Sequence, residues 1–266
     1  MRESANYIDF TSGATAGRQN GEEIWIPSDN VCIQGKAITV NPTFFTVVHA
    51  EPSVLLLHAR LGPTQVYLLA AHAPPSSAKV RGKRWWEKLR RLVRDKVPRG
   101  FPLLAGIDAN GRVGGERLPI AGGHQPEAQD APGNSLLDLC EQSDTILPQT
   151  FLHCHTGPGW TWQSRGGAVH RIDYIIWPAQ WQTGHVGTSV HYDADISSGS
   201  IDHKLVTCIG MAAGGTSPQD VRWRSVPYDR NRVARVPESR LLTALLDWAP
   251  QLPWRAHPSD SMAVWS

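Results

Sequence analysis

No apolar run in this sequence approaches the roughly 20 residues that a membrane-crossing helix needs. The longest, around Val54–Leu57 and Val66–Ala71, are the size of strands. The first residues (MRESANYIDF) contain no basic region followed by an apolar stretch, so no secretory signal is visible. Cysteine is scarce. Cys32, Cys140, Cys154 and Cys208 are widely scattered without a CxxC pair, so neither a disulfide framework nor a zinc site is indicated, and the expected setting is intracellular and reducing. There is no internal repeat, and collagen, coiled coil and membrane channel are excluded.

What is present suffices for a folded core. The 266 residues are 41% apolar, 19% charged, and include 11 tryptophans, a composition far from that of a disordered chain. At roughly 100–200 residues per domain, the length suits one large domain with an appendage, or two small ones. The expected division is a domain over 1–214 and, over 215–266, a Pro/Arg-rich tail or linker with one helical stretch at Glu238–Trp248.

The net charge of +2 conceals an asymmetry. Residues 79–99 hold ten Lys/Arg against two acids, leaving the rest of the chain with an excess of six negative charges. Trp85/Trp86, Leu89, Leu92/Val93 and Val97 recur at three- and four-residue steps, which predicts a helix with an apolar face and a basic one. Such a concentration of positive charge suits either a solvated surface or contact with an anionic polymer, and Lys83, Arg84, Lys88 and Arg91 are the candidate nucleic-acid contacts.

The segment to about Gly21 reads as loop. Strands are predicted at Glu23–Pro27, Ala37–Val40 and Phe44–Val48, and Val54–Leu61 with Val66–His72 reads as a hairpin turning at Gly62-Pro63. The near-continuous apolar character of that pair implies a sheet covered on both faces. Further strands are expected at Phe101–Gly106, Phe151–Cys154, Thr161–Gln163, Arg171–Trp177 and Leu205–Ile209. A second helix is expected at Asn134–Thr145, with Asn134 as a cap, after a long loop over Gly114–Pro132. Many strands and two clear helices predict a mixed α/β sheet with helices packed outside it.

Four polar insertions interrupt apolar strands at their ends: His72 in LLAAHAPP, Asp108 and Asn110 in LLAGIDANG, Asp173 in HRIDYIIWP, and Asp202-His203 in SIDHKLV. Each alone has a plainer reading, since a strand-end Asp often forms a turn and Asn-Gly favours positive φ. Together they supply carboxylates for a hard cation, imidazoles for proton transfer and an amide to orient a ligand, a set suited to metal-assisted hydrolysis of a phosphate ester. His153-Cys154-His155 offers two histidines on one strand face but no third ligand, a poor metal site. Trp160 and Trp162 share a face and read as core or rim packing, or as a surface on which a base stacks.

The order of these motifs resembles the endonuclease/exonuclease/phosphatase superfamily, which includes pancreatic-type deoxyribonuclease, abasic-site endonucleases and the endonuclease domains of non-LTR retrotransposons. GIDAN stands where the family has a GDFN-like motif, RIDYI is a close match, and SIDHKLV resembles its SDH motif with Ile201 in place of serine. Thr150-Phe151 followed by Thr161-Trp162 looks most like the retrotransposon branch. The resemblance spans about Gly21 to Ile209 and implies a two-sheet, DNase I-like α/β sandwich that nicks DNA with Mg2+, acting as a monomer with no membrane partner. A retroelement endonuclease would need access to nuclear DNA.

By the same resemblance, Asp108 orients or deprotonates the attacking water and Asn110 holds the scissile phosphate or the water. Asp202 ligates Mg2+, while Asp173 pairs with His203, whose imidazolium stabilises charge on the phosphate. His72 donates to a phosphate oxygen or assists the leaving group, and Thr161 lines the substrate edge. The departure is at the N-terminus, where the family has a strand bearing Asn or Asp, a helix, and a strand ending in a metal-binding Glu. Glu3 is the one remnant weighed for that motif, but Arg2 precedes it in place of Gln, and it lies close to the next strand expected near Glu23. The expectation is therefore a chain lacking the first strand and helix, with a gap in the middle of one sheet. The alternatives are a catalytically inactive remnant that at most binds nucleic acid, and a phosphatase acting on a small phosphorylated substrate.

Overall fold

The structure is a computed structural model and describes residues 2–3, 7–13, 21–28, 31–33, 36–62, 64–181, 186–192, 202–212 and 219–223. The chain opens with β1 (Arg2–Glu3), β2 (Tyr7–Thr11) and β3 (Glu23–Pro27), which form an antiparallel three-stranded sheet. β4 (Val31–Ile33) and β5 (Lys36–Ile38) pair as a ribbon. Then come β6 (Phe45–Glu51), β7 (Val54–Leu61), β8 (Thr64–His72), helix α1 (Lys79–Lys96) and β9 (Leu103–Asp108). Helix α2 (Ala131–Ser143) leads to β10 (Thr145–Ile146), β11 (His155–Thr156), β12 (Trp162–Gln163), β13 (Val169–His170) and β14 (Asp173–Pro178). β15 (Val186–His191), β16 (Leu205–Ala212) and β17 (Gln219–Trp223) complete the order.

The principal sheet runs β10-β14-β9-β8-β7-β6. Only β8 and β9 are parallel, joined by the α1 crossover, and the other neighbours are antiparallel. Its strands are apolar on both faces because both are covered. Leu55, Leu57, Leu68, Leu104, Ile175 and Trp177 face a core shared with Ile8, Phe10 and Ile26 of β2 and β3 and with Val190 and Val206 of β15 and β16. Their alternate neighbours Leu56, Leu69, Ala105 and Ile176 face Trp86, Leu89 and Val93 of α1 and Leu136, Leu137 and Cys140 of α2. Period-two alternation thus splits each continuous apolar run between two cores. The second layer consists of the β1–β3 sheet and a four-stranded sheet, β11-β15-β16-β17. Among the described residues no strand pairing joins these two.

Several expected elements differ. The opening segment is not all loop: Tyr7–Thr11 is a strand, with Ile8 and Phe10 buried and their neighbours partly exposed, an alternation hidden beside Gly/Ser-rich sequence. Helix α2 starts three residues before Asn134, because Asp130 is its cap, accepting from the Gly133 N–H at 2.9 Å, and Pro132 suits the first turn. Phe151–Cys154 is not a strand; the pairing residues are His155 and Thr156, which add to β15. Gln219–Trp223 pairs along β16, so the sheet continues past the boundary expected at 214. The helix expected at Glu238–Trp248, like the rest of the tail beyond 223, lies outside the described residues.

Candidate active site

Three strand ends meet at one edge of the principal sheet. The parallel register sets His72 of β8 beside Asp108 of β9, and the antiparallel register sets Asp108 beside Asp173 of β14. Each apolar run ends at its polar residue, so three neighbouring strands deliver their polar ends to one place. The chain turns sharply after Asp108. Asn110 has φ 43°, a left-handed conformation Asn tolerates, its N–H donates to Asp108 Oδ1 at 2.9 Å, and its side-chain amide donates to the Ala73 carbonyl at 2.9 Å. Gly111 follows by necessity, since a Cβ there would lie 2.5 Å from Pro132 and 2.6 Å from the Gly133 nitrogen.

His203 arrives from the second layer. The β12–β13 hairpin ties it in place: Trp162 bridges to His203, the Lys204 N–H donates to the Thr161 carbonyl at 2.7 Å, and the Gln163 N–H donates to the Asp202 carbonyl at 2.8 Å. His203 Nδ1 then lies 3.0 and 3.1 Å from the two Asp173 oxygens. His72 Nε2 is 3.5 Å from Asp108 Oδ2, near but longer than a hydrogen bond.

Thr161 corrects an expectation. It does not line a substrate edge; it is 1% exposed, and its Oγ1 accepts the N–H groups of Ile172 at 3.1 Å and Asp173 at 3.0 Å. Its hydroxyl satisfies two buried donors at the start of β14, where the chain enters the site, and so positions Asp173.

The electrostatics follow from this burial. Desolvation pushes the Asp108 carboxyl up to about 7, the Asp173 charge adds to the rise, and His203 and the Asn110 N–H oppose it. For His203, desolvation disfavours the charge, but the Asp173 hydrogen bond together with the Asp173, Asp108 and Asp202 charges outweighs it and raises the pKa to about 9. His72 is lowered, first by burial and then by the His203 charge. At neutral pH the site therefore holds an imidazolium at His203 and a neutral imidazole at His72. The metal-ligating atoms of Asp108, Asp173 and His203 lie within 4.8 Å of one another. The crowded carboxylates of Asp108 and Asp173 are oxygen donors that fit a hard divalent cation, while the His203 imidazolium offers no lone pair to one. Asp202 is exposed beside this cluster, its Oδ2 accepting from Trp162 Nε1 at 3.3 Å.

This arrangement of layers has counterparts among solved structures. An AP endonuclease from Archaeoglobus fulgidus matches with a TM-score of 0.50 at 13% identity, covering 75% of this chain and 77% of that one. The fold is DNase I-like. Endonuclease/exonuclease/phosphatase proteins recur among the similar structures. A 3'-5' exonuclease from Neisseria meningitidis matches with a TM-score of 0.49 at 16% identity over 76% of this chain and 78% of that one. The endonuclease domain of TRAS1, a telomere-specific non-LTR retrotransposon, matches with a TM-score of 0.47 at 15% identity over 74% and 77%. At these identities the likeness is one of fold. No family profile matches the sequence, and no curated protein matches it.

The remaining candidates divide by environment. Lys83, Arg84 and Arg91 are exposed on α1, with no ion-pair partner among the described residues. Lys88 is instead held by Glu51, its Nζ 2.6 and 2.7 Å from the two carboxylate oxygens. Lys83 and Arg84 lie in the first two turns of α1, after the strand ending at His72, and Arg91 lies further along the helix. His155 is buried against Thr188 Oγ1 at 2.9 Å while His153 is exposed, so the pair does not converge on a metal. Trp162 stacks on His170 with ring centroids 6.0 Å apart, and Trp160 packs on Tyr192 with Lys204 Nζ 5.9 Å from its ring, making an aromatic rim.

Sequence reasoning missed Arg171. It is 4% exposed, and its guanidinium donates to the Gly159 carbonyl at 2.8 Å and the His124 carbonyl at 3.1 Å. Glu127 accepts from the Arg171 N–H at 2.6 Å and approaches His170 Nδ1 at 2.6 Å. This network fastens the loop before α2 to the segment entering Asp173. The signal was a cation inside the apolar run RIDYIIW, where an unpaired charge would be costly.

Proposed function

We propose that this chain hydrolyses phosphodiester bonds in DNA with the help of Mg2+, nicking the strand as an endonuclease. The observation that carries this reading is the convergence of Asp108, Asp173 and His203 at one sheet edge, beside His72. Asp108, from its buried position, takes a proton from the attacking water, and Asn110, locked by its two hydrogen bonds, keeps that carboxylate oriented. The Asp173 carboxylate holds His203 as an imidazolium by its Nδ1–H, leaving Nε2–H to donate to a phosphate oxygen where charge develops. Asp108 and Asp202 are the carboxylates that would hold Mg2+, which would polarise the phosphate. Lys83 and Arg84 add sequence-independent phosphate contacts, and the similar fold of an AP endonuclease supports a nucleic-acid substrate.

The test is a supercoiled-plasmid nicking assay with Mg2+, with EDTA and Asp108→Ala as controls. Metal-dependent nicking lost in the variant is the expected result. No nicking by the folded chain would overturn the reading in favour of an inactive remnant. Hydrolysis of inositol phosphates without plasmid cleavage would overturn it in favour of a phosphatase.

A further inference from the structure

The loop between β9 and α2 is pinned to the sheet beside it. The Glu127 N–H donates to the Val113 carbonyl at 3.3 Å and the Val113 N–H donates to Tyr174 Oη at 3.1 Å. That hydroxyl donates in turn to the Arg171 carbonyl at 2.7 Å. From this anchored loop the Glu127 side chain places its two oxygens on successive residues. Oε1 accepts the Arg171 N–H at 2.6 Å, and Oε2 accepts from His170 Nδ1 at 2.6 Å. A carboxylate only accepts, so the proton of that second bond sits on Nδ1.

The first bond fixes the backbone two residues before Asp173. The second acts across the β12–β13 hairpin, whose register sets His170 opposite Trp162. The two rings lie 8° from parallel with centroids 6.0 Å apart, within the range of an offset stack. Trp162 bridges to His203, and its Nε1–H donates to Asp202 Oδ2 at 3.3 Å. We infer that Glu127 is a positioning residue for the proposed reaction. It sets the entry of Asp173 from one layer and, through His170 and Trp162, the seat of His203 from the other. This rests on the nuclease reading above. The Glu127 and His170 side chains keep 23% and 32% of their surface exposed, so their contact adds little to stability and what it supplies is direction. Direction matters here because Asp173 and His203 come from separate layers, yet both Asp173 oxygens lie 3.0–3.1 Å from one nitrogen. Misplacing such a pair by about 1 Å is enough to cost about 100-fold in rate.

The test reads the site by NMR of the full chain without metal, and then reads turnover. The His203 Nδ1 proton held by Asp173 and the Trp162 Nε1 proton held by Asp202 each give a resonance that moves when its hydrogen bond lengthens. Glu127→Ala should shift both, and should lower kcat for plasmid nicking by about 10- to 100-fold while KM changes less than about twofold. Glu127→Gln keeps an oxygen for the Arg171 N–H and offers an amide N–H to the His170 ring in its other tautomer, so it should retain both resonances and most of the kcat. Glu127→Asp, one methylene short, should fall between the two, and it carries the comparison if the Ala chain does not fold. Parental resonances and kcat in Glu127→Ala overturn the inference, whatever the change in Tm, and so do equal losses in the Ala and Gln variants. A parent chain that nicks no plasmid overturns the nuclease reading, while the resonances still decide whether Glu127 sets the Asp173–His203 pair.

Discussion

Asp173 engages His203 with both of its oxygens, which lie 3.0 and 3.1 Å from Nδ1. This pairing turns an imidazole that burial would keep neutral into one that stays charged to about pH 9. The pKa lies above the ordinary value of 6.5, so the stabilising charge interaction is fully present below about 6.5 and is lost as the pH rises through about 9. In Asp173→Asn the burial penalty remains and the largest favourable partner is gone. The His203 pKa should then fall well below about 9, read by NMR of its ring protons, and nicking at neutral pH should fall by about 100-fold or more.

Asp108 carries the opposite kind of linkage. Its folded pKa of about 7 exceeds the ordinary 3.8, so ionisation opposes folding through that interval, and the full cost is present above about 7. Asp108→Asn keeps an oxygen for the Asn110 N–H while removing the charge. In metal-free buffer it should raise Tm by several degrees near about pH 8, with a smaller gain near about pH 5. Turnover should be abolished. An Asn variant less stable than the parent at the higher pH would contradict the buried-charge account.

Thr161 tests positioning without touching substrate. Thr161→Val leaves the buried N–H groups of Ile172 and Asp173 without their acceptor and should cost about 1–3 kcal/mol of stability, read by urea unfolding. Because Asp173 shifts with its backbone, kcat should fall more than KM rises. Thr161→Ser keeps the oxygen and should restore most of both.

The Arg171 guanidinium joins two loops through the Gly159 and His124 carbonyls. Arg171→Met should destabilise by about 1–3 kcal/mol, since it leaves the Gly159 and His124 carbonyls without their donor, while Glu127 keeps the backbone N–H of residue 171. Arg171→Lys should rescue little, having no planar fork. Gly159→Ala should behave like a milder version of the same lesion, because its Cβ would meet the guanidinium of Arg171.

The basic helix makes a prediction about salt. Lys83→Ala and Arg84→Ala should each weaken DNA binding and lower the slope of log affinity against log salt by about 1, measured by fluorescence anisotropy. Lys88→Ala should change the slope little, because Glu51 already neutralises that ammonium.

Much of this was legible in the chain. The continuous apolar runs Val54–Leu61 and Thr64–His72, the amphipathic period of α1 and the polar residues at strand ends are local patterns, and each strand or helix obeyed its period. A mixed α/β sheet with helices outside it and the list of His72, Asp108, Asp173 and His203 followed from them, while the two-sheet sandwich followed from the family resemblance. What the pattern could not express was direction and neighbour. The family resemblance set Thr161 against substrate, but the hairpin turns it inward to two backbone donors. The strand of Tyr7–Thr11 was masked by its Gly/Ser-rich surroundings.

The sequence by itself determined the type of each element and the chemistry available at its ends, because side-chain period and residue identity are local properties. Only the tertiary structure decided that β9 lies between β8 and β14, which sets Asp108 beside both His72 and Asp173, and that His203 is carried across from the other layer to Asp173. Those are pairings between residues 30 to 65 positions apart, fixed by sheet register and by the two cores together, and no spacing along the chain encodes them.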